Sequence, residues 1–182
     1  CLFRIGDAGF PLQQLQFSSP GENKFPNADT GKLLQPSEWY HVAVVYDTEK
    51  KTAVIYVDGR EQSRIEDYGN GEPVNLGKQT RGKDFMFKIG HSYGDPDYME
   101  RQLDGEICEV RVWNVARSQQ EIFDNMYNIE DPANTPGLQA YWKFNEGEGD
   151  IAKDYTGHGN DAKAYVKATW PAGIEVTQKN KE

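Results

Sequence analysis

The sequence predicts an all-β chain of antiparallel strands with one short helix. Three observations carry that prediction. Short apolar-rich segments alternate along the chain with Gly, Pro, Asn and Asp, the rhythm of strands and turns. Two of them, residues 41–47 and 52–58, are separated by a four-residue link, a common hairpin length. One stretch, opening at Ser118, switches to helical spacing behind a capping signal.

Taken in order, residues 2–5 and 15–17 are expected strands joined by a Gly- and Pro-bearing link, and residues 20–31 form a loop. In the hairpin, Val42, Val44 and Tyr46 share one face, and His41, Ala43 and Val45 the other. Ala53, Ile55 and Val57 oppose Val54 and Tyr56 in its second strand. Both faces are largely apolar, so the hairpin is expected at the centre of a sheet. Asp58-Gly59 supplies a tight turn. Residues 67–83 are Gly-rich and polar, a long loop. Residues 85–90 return to strand, and 92–102 form a further loop.

Residues 103–114 are expected to be the longest strand. Ile107, Glu109, Arg111 and Trp113 lie on one face, and Cys108, Val110 and Val112 on the other. The second set reads as core, and Glu109 with Arg111 as an ion pair. Ser118-Gln119-Gln120-Glu121 fits a capping box, with Ile122, Met126 and Ile129 on one helical face. That pattern predicts a helix of about three turns. Residues 138–145 are a strand with Tyr141 and Trp142 on opposite faces. Residues 150–154 and 161–165 flank a Gly/Asn turn. The domain is expected to span 1–170, with a polar tail over 171–182.

Bulk properties narrow the class. A chain of 182 residues suits one domain. No apolar run approaches the roughly 18 residues a membrane helix needs, so membrane insertion of this segment is not expected. Aromatic residues make up 12%, too many for a disordered chain. A net charge of −9 repels phosphate backbones, which argues against nucleic acid, and leaves carboxylates for a calcium site. The two cysteines, Cys1 and Cys108, rule out a disulfide-rich scaffold and a four-cysteine zinc site, and Cys108 reads as a small buried hydrophobe. The opening CLFRIG has neither a charged nor an apolar leader region, so no signal peptide is expected in it. No Asn-x-Ser/Thr sequon occurs, which leans towards a bacterial source.

Several motifs fall in a fixed order. Trp39, His41, Val42, Ala43 and Asp47 fit W-x-H-V-A-x-x-x-D, followed by Asp58-Gly59 and Ile89-Gly90. Asp104 to Trp113 fits D-G-x-I-x-E-V-R-V-W. Ala116, Arg117, Ser118, Glu121 and Ile122 fit A-R-S-x-x-E-I. Tyr141, Trp142, Phe144, Glu146, Gly147, Gly149, Asp154, Thr156 and Gly157 fit Y-W-x-F-x-E-G-x-G…D-x-T-G. Over residues 38–162 the chain thus resembles the laminin-G-like, concanavalin-A-like lectin/glucanase superfamily. The resemblance implies a two-sheet antiparallel β-sandwich of jelly-roll type. It also implies a noncatalytic glycan-recognition module of an exported bacterial protein, placed outside the cell, at its surface or in the periplasm. The partner would be a polysaccharide or glycoconjugate, or, as an alternative, a protein. The family's early F-D-G…D motif is not found here, so calcium ligands from that region are not carried over.

Candidate contacts follow from residue chemistry. Tyr93 and Tyr98 share a loop with Asp95 and Asp97, rings and acceptors suited to sugar faces and hydroxyls. Trp39, Trp113 and Trp142 lie within or beside strands and read as core. Asp154, Thr156 and Asn160 line an oxygen-rich turn, a candidate calcium site or a plain Asx/Gly turn. His41, His91 and His158 lack close partners in sequence, so zinc is not expected, and His41 reads as a hydrogen-bonded structural residue. Glucanases of the superfamily carry E-x-D-x-x-E on one strand. Here Glu106 and Glu109 would lie on opposite faces of a regular strand, with Cys108 where the Asp would stand. Glu146 and Glu148 sit in a Gly-rich turn. The chain is therefore read as no enzyme, with a glycoside hydrolase using carboxylates from separate strands as the weaker alternative. Residues 77–83 fit G-x-x-x-x-G-K, but Asp84 follows where a phosphate loop needs Ser or Thr.

Overall fold

The structure, a computed structural model, describes residues 2–6, 13–18, 34–69, 71–72, 87–90, 103–164 and 169–171. Its contacts cluster into two compact units, residues 1–102 with 116–126, and residues 103–115 with 127–182. All the sheets among the described residues are antiparallel, and a single short α-helix accompanies them.

In the first unit, β1 (Leu2–Ile5) pairs with β2 (Leu15–Ser18), Phe3 opposite Phe17. A second sheet runs β3 (Val42–Asp47), β4 (Thr52–Val57) and β5 (Arg60–Ile65), with β4 in the middle. Period-2 alternation divides β4 between two cores. Ala53, Ile55 and Val57 meet Leu15, Phe17, Leu34 and Tyr68, so the two sheets pack face to face. Val54 and Tyr56 meet Ile122 on the opposite face, where the helix α1 (Gln119–Asp124) lies. This is the expected all-β sandwich, but of the hairpin expected to be central only β4 is; β3 stands at the edge of its sheet among the described residues and is half-buried throughout. Ile55 is fully buried, and burying such a side chain stabilises by about 1.5–3 kcal/mol.

The turns explain the register. Asp47 Oδ1 accepts from the backbone N–H of Glu49 and Lys50, at 3.1 and 2.9 Å, which closes the four-residue link. Asp58 (φ 50°) and Gly59 (φ 70°) make the two-residue turn into β5. Gly59 is required twice over. Its φ is left-handed, and a Cβ there would stand 2.7 Å from Phe123 Cδ2. Strand β5 was not anticipated, since Arg-Glu-Gln-Ser-Arg-Ile lacks an apolar face.

The helix is shorter than expected. Ser118 accepts from the Glu121 N–H and Glu121 reaches back to the Ser118 N–H at 2.8 Å, so the capping box forms. At the other end the Asn125 backbone N–H and carboxamide both donate to the Glu121 carbonyl, at 3.2 and 2.8 Å, and the Asn125 backbone (φ −110°, ψ 11°) leaves the helical conformation. Ile122, Met126 and Ile129 are all buried, but only Ile122 lies within the helix.

In the second unit, β6 (Val110–Trp113) pairs with β7 (Leu138–Trp142), and β8 (Ile151–Ala152) with β9 (Ala162–Lys163). The expected long strand over 103–114 shrinks to four residues. Glu109 has φ 56°, a left-handed conformation that cannot continue a strand, and residues 103–109 are irregular. Residues on both faces, from Ile107 to Trp113, are half-buried, the expected core set of Cys108, Val110 and Val112 among them. Trp113 packs against Ile129, Leu138 and Tyr141. Residues 87–90, expected in a strand, are not in one. The expected loop over 20–31 and the tail from 172 onward lie outside the described residues.

Candidate functional site

Asp154 organises the turn between β8 and β9. It is 3% exposed, and its carboxylate accepts four hydrogen bonds. Oδ1 receives the Tyr141 N–H at 3.2 Å, the Thr156 N–H at 3.0 Å and the Thr156 hydroxyl at 2.7 Å. Oδ2 receives the Asn160 N–H at 3.0 Å. Burial alone would raise the Asp154 pKa. The donors from Thr156, Asn160 and Tyr141 outweigh it and hold the carboxyl below the ordinary carboxylate range. Asn160 completes the closure: its carboxamide donates to the Gln139 carbonyl at 3.0 Å, and its own carbonyl accepts from the Trp142 indole at 2.8 Å.

The structure thus brings Asp154, Thr156 and Asn160 together, as the sequence suggested. Calcium takes about six to eight oxygens with lone pairs aimed at the ion. Here the Thr156 hydroxyl and two backbone N–H groups of the turn present hydrogens to Asp154 instead. As folded, the set does not fit calcium. No group of three or more His, Cys, Asp or Glu side chains among the described residues is disposed to hold a metal.

A second cluster lies along β6 and β7. Arg111 pairs with Tyr141 across the ladder, and Arg111 Nη2 and the Tyr141 hydroxyl both donate to Glu109 Oε2. The expected Glu109–Arg111 ion pair therefore forms, and its side chains are 17% and 7% exposed. The guanidinium carbon sits 4.8 Å from the Tyr141 ring centroid. Tyr141 is fully buried, and its hydroxyl pKa is pushed up to about 12, chiefly by burial. Burial also raises the Cys108 thiol, with the Glu109 charge adding to it. Outward of this cluster, Lys143 Nζ lies 5.4 Å from the Tyr141 centroid and 5.2 Å from that of Tyr155, and Lys153 Nζ lies 5.7 Å from Tyr155. Sequence reasoning missed this row. Its signal was present: Tyr141 and Lys143, and Lys153 and Tyr155, are each two apart, the spacing of side chains that share a strand face.

Of the expected core tryptophans, Trp142 is buried and Trp113 half-buried, but Trp39 is 44% exposed. It precedes β3 rather than lying in it, so the alternation that would turn it inward does not reach it. The His41 backbone N–H donates to Asp58 Oδ1 at 3.0 Å. Tyr93, Asp95, Asp97 and Tyr98 lie outside the described residues, as does Cys1. No described helix is long and apolar enough to cross a membrane.

Comparison with known proteins agrees with this architecture. A solved structure, described as a "putative carbohydrate binding protein" from Bacteroides ovatus ATCC 8483, superposes with a TM-score of 0.70 at 31% identity. The match covers 91% of this chain and 47% of that one, so this chain spans about half the length of that protein. No curated protein matches. A laminin-G-type family model, described as the concanavalin A-like lectin/glucanases superfamily, matches residues 2–123. That span holds the apolar hairpin, the Asp58-Gly59 turn, the Asp104–Trp113 segment and the capped helix, and the chain belongs to the concanavalin A-like lectin/glucanases superfamily.

Proposed function

We propose that this chain is a noncatalytic carbohydrate-recognition module of a protein exported by a bacterium. The observation that carries the reading is family membership, together with a likeness at 31% identity to a protein described as carbohydrate binding. Site chemistry supports the noncatalytic part. Glu109, one of the two carboxylates nearest the glucanase pattern, is engaged by Arg111 and the Tyr141 hydroxyl. A carboxylate held that way is not poised to exchange a proton with a glycosidic oxygen. The contacts we assign to the primary glycan are Tyr93 and Tyr98, as stacking rings, with Asp95 and Asp97 accepting from hydroxyls. This assignment rests on their residue chemistry and loop position.

Calcium has no part in this reading, because the Asp154 turn is already satisfied by its own donors. A chelator should leave the melting temperature unchanged. A rise in millimolar calcium, abolished in Asp154→Ala, would restore that turn as a metal site. The test of function is a glycan array with the full chain, run in calcium and again with chelator. Selective retention that disappears in Tyr93→Ala/Tyr98→Ala supports the assignment. A blank array overturns it and favours recognition of a protein partner.

A further inference from the structure

The row of Lys143, Tyr155 and Lys153 brings two cations to one aromatic ring. The protein carries 29 acidic against 20 basic residues, so an ammonium group has many carboxylates to choose from. Yet neither Lys143 nor Lys153 pairs with a carboxylate among the described residues. Lys143 Nζ donates to Asn128 Oδ1 at 3.3 Å and sits over Tyr141 and Tyr155, and Lys153 Nζ sits over Tyr155. Two ammonium groups therefore converge on one half-buried ring, Lys143 half-buried and Lys153 exposed.

The polar groups around them leave donors, not acceptors. An ammonium only donates, which fixes the Asn128 oxygen towards Lys143 and leaves its NH2 directed elsewhere. The Tyr155 hydroxyl donates to Asn145 Oδ1 at 3.1 Å, which again occupies the oxygen of a carboxamide. Asn128, Asn145 and Lys153 are all exposed. Two carboxylates lie nearby without pairing with either ammonium. Glu109 is neutralised by Arg111 beneath the row, and Glu146 Oε1 accepts the Lys153 backbone N–H at 2.9 Å without reaching its ammonium. What remains is a patch of two cations and two carboxamide donors on an aromatic floor.

We infer that Lys143, Lys153, Tyr155, Asn128 and Asn145 form a subsite for the anionic group of an acidic saccharide, a carboxylate or a sulfate ester. The anion bridges the two ammonium groups, and the carboxamides donate to it or to adjacent oxygens. Charge-assisted hydrogen bonds of this kind are roughly twice as strong as neutral ones. Confinement to one patch reconciles the site with a net charge of −9. At physiological salt the wider field is screened beyond about 8 Å, so a short acidic oligosaccharide is admitted where a long polyanion is repelled.

This inference rests on the carbohydrate-recognition reading, and the test separates the two. Titration calorimetry with the full chain uses three probes: an oligogalacturonide for carboxylate, a sulfated galacto-oligosaccharide for sulfate, and a neutral galacto-oligosaccharide. One or both acidic probes should bind more tightly than the neutral one, and which of them binds identifies the anion. Lys143→Gln/Lys153→Gln should weaken acidic binding by about tenfold or more while leaving the neutral probe unchanged. Raising salt on the unaltered protein should weaken acidic binding alone, a check independent of how the variant folds. Equal affinity for acidic and neutral probes overturns the subsite but leaves carbohydrate recognition standing. Failure of all three, with a blank glycan array, overturns both. Acidic binding unaffected by salt or by the double substitution places the anion elsewhere and overturns the subsite.

Discussion

Replacing Glu109 by Gln keeps the shape of the side chain and removes its charge. Arg111 then keeps its cation at 7% side-chain exposure without the carboxylate that faces it, and the Tyr141 hydroxyl keeps at best a neutral carboxamide acceptor in place of a charged one. Breaking one side of a buried pair costs about 3–5 kcal/mol, and the 17% exposure left to Glu109 lets water soften that to roughly 2–3 kcal/mol. Arg111→Met should cost a similar amount, because it leaves the carboxylate with the Tyr141 hydroxyl but no cation. Removing both charges should cost about 1–2 kcal/mol, less than the singles combined, since no uncompensated charge remains. The cycle therefore predicts a favourable coupling of about 2 kcal/mol or more. Urea unfolding followed by tryptophan fluorescence resolves this. With a slope of about 2 kcal/mol per molar, each single substitution moves the midpoint by roughly 1–1.5 M. Singles costing under about 0.5 kcal/mol, or additive effects in the double variant, would refute the claim that this pair is buried and mutually dependent.

Three further outcomes follow from the same geometry. Asp154→Ala removes the acceptor of four hydrogen bonds and should cost about 2–4 kcal/mol in urea unfolding. Because the folded pKa of Asp154 is depressed, its contribution is fully present above the unfolded value near about 3.9 and is lost as pH falls through the folded value. The gap between the unaltered protein and Asp154→Ala should thus be constant at neutral pH and narrow as pH falls through the folded value, and a gap that does not narrow in acid would contradict this. Ser118→Ala removes the helix cap and should cost about 1 kcal/mol, read as a lower melting temperature, with Thr at that position restoring most of it. Gly59→Ala and Gly71→Ala both place a Cβ at positive φ, but only the first meets a ring, at 2.7 Å, against a carbonyl oxygen at 3.4 Å for the second. Gly59→Ala should be the more destabilising, with Gly71→Ala near the bare left-handed cost of about 1–2 kcal/mol. Equal losses would show that Phe123 yields freely.

What could be read from the sequence, and what could not, has physical causes. The β3–β4 hairpin was legible because both faces are apolar, but that pattern did not tell the central strand, β4, from β3, which lies at the sheet edge among the described residues. Strand β5 was not, since an edge strand with one partner needs no apolar face, although the Asp58-Gly59 turn before it was the cue. The helix was overextended because hydrophobic spacing continues to Ile129, while the backbone leaves the helical conformation at Asn125, which apolar spacing does not report. The long strand over 103–114 was overextended because alternation says nothing about the backbone sign at Glu109. At the site, Asp154, Thr156 and Asn160 were found by residue type. Whether oxygens or hydrogens converge there is a matter of orientation, which sequence does not carry. The Lys143–Tyr155–Lys153 row was hidden because its two halves come from segments ten residues apart.

The Asp154 carboxylate also sets how the end of the second unit opens. Strands β8 and β9 have two residues each, too few to persist as a hairpin alone. The Asp154 carboxylate ties them to β7 by gathering the amides of Tyr141, Thr156 and Asn160, alongside the Asn160 carboxamide on the Gln139 carbonyl, the Trp142 indole on the Asn160 carbonyl and the Tyr155 N–H on the Tyr141 carbonyl. Amides that share one carboxylate are coupled, because displacing that side chain weakens all of their bonds at once. The expected outcome is that the amides of Tyr141, Thr156 and Asn160, up to nineteen residues apart, show similar hydrogen-exchange protection and lose it together in Asp154→Ala.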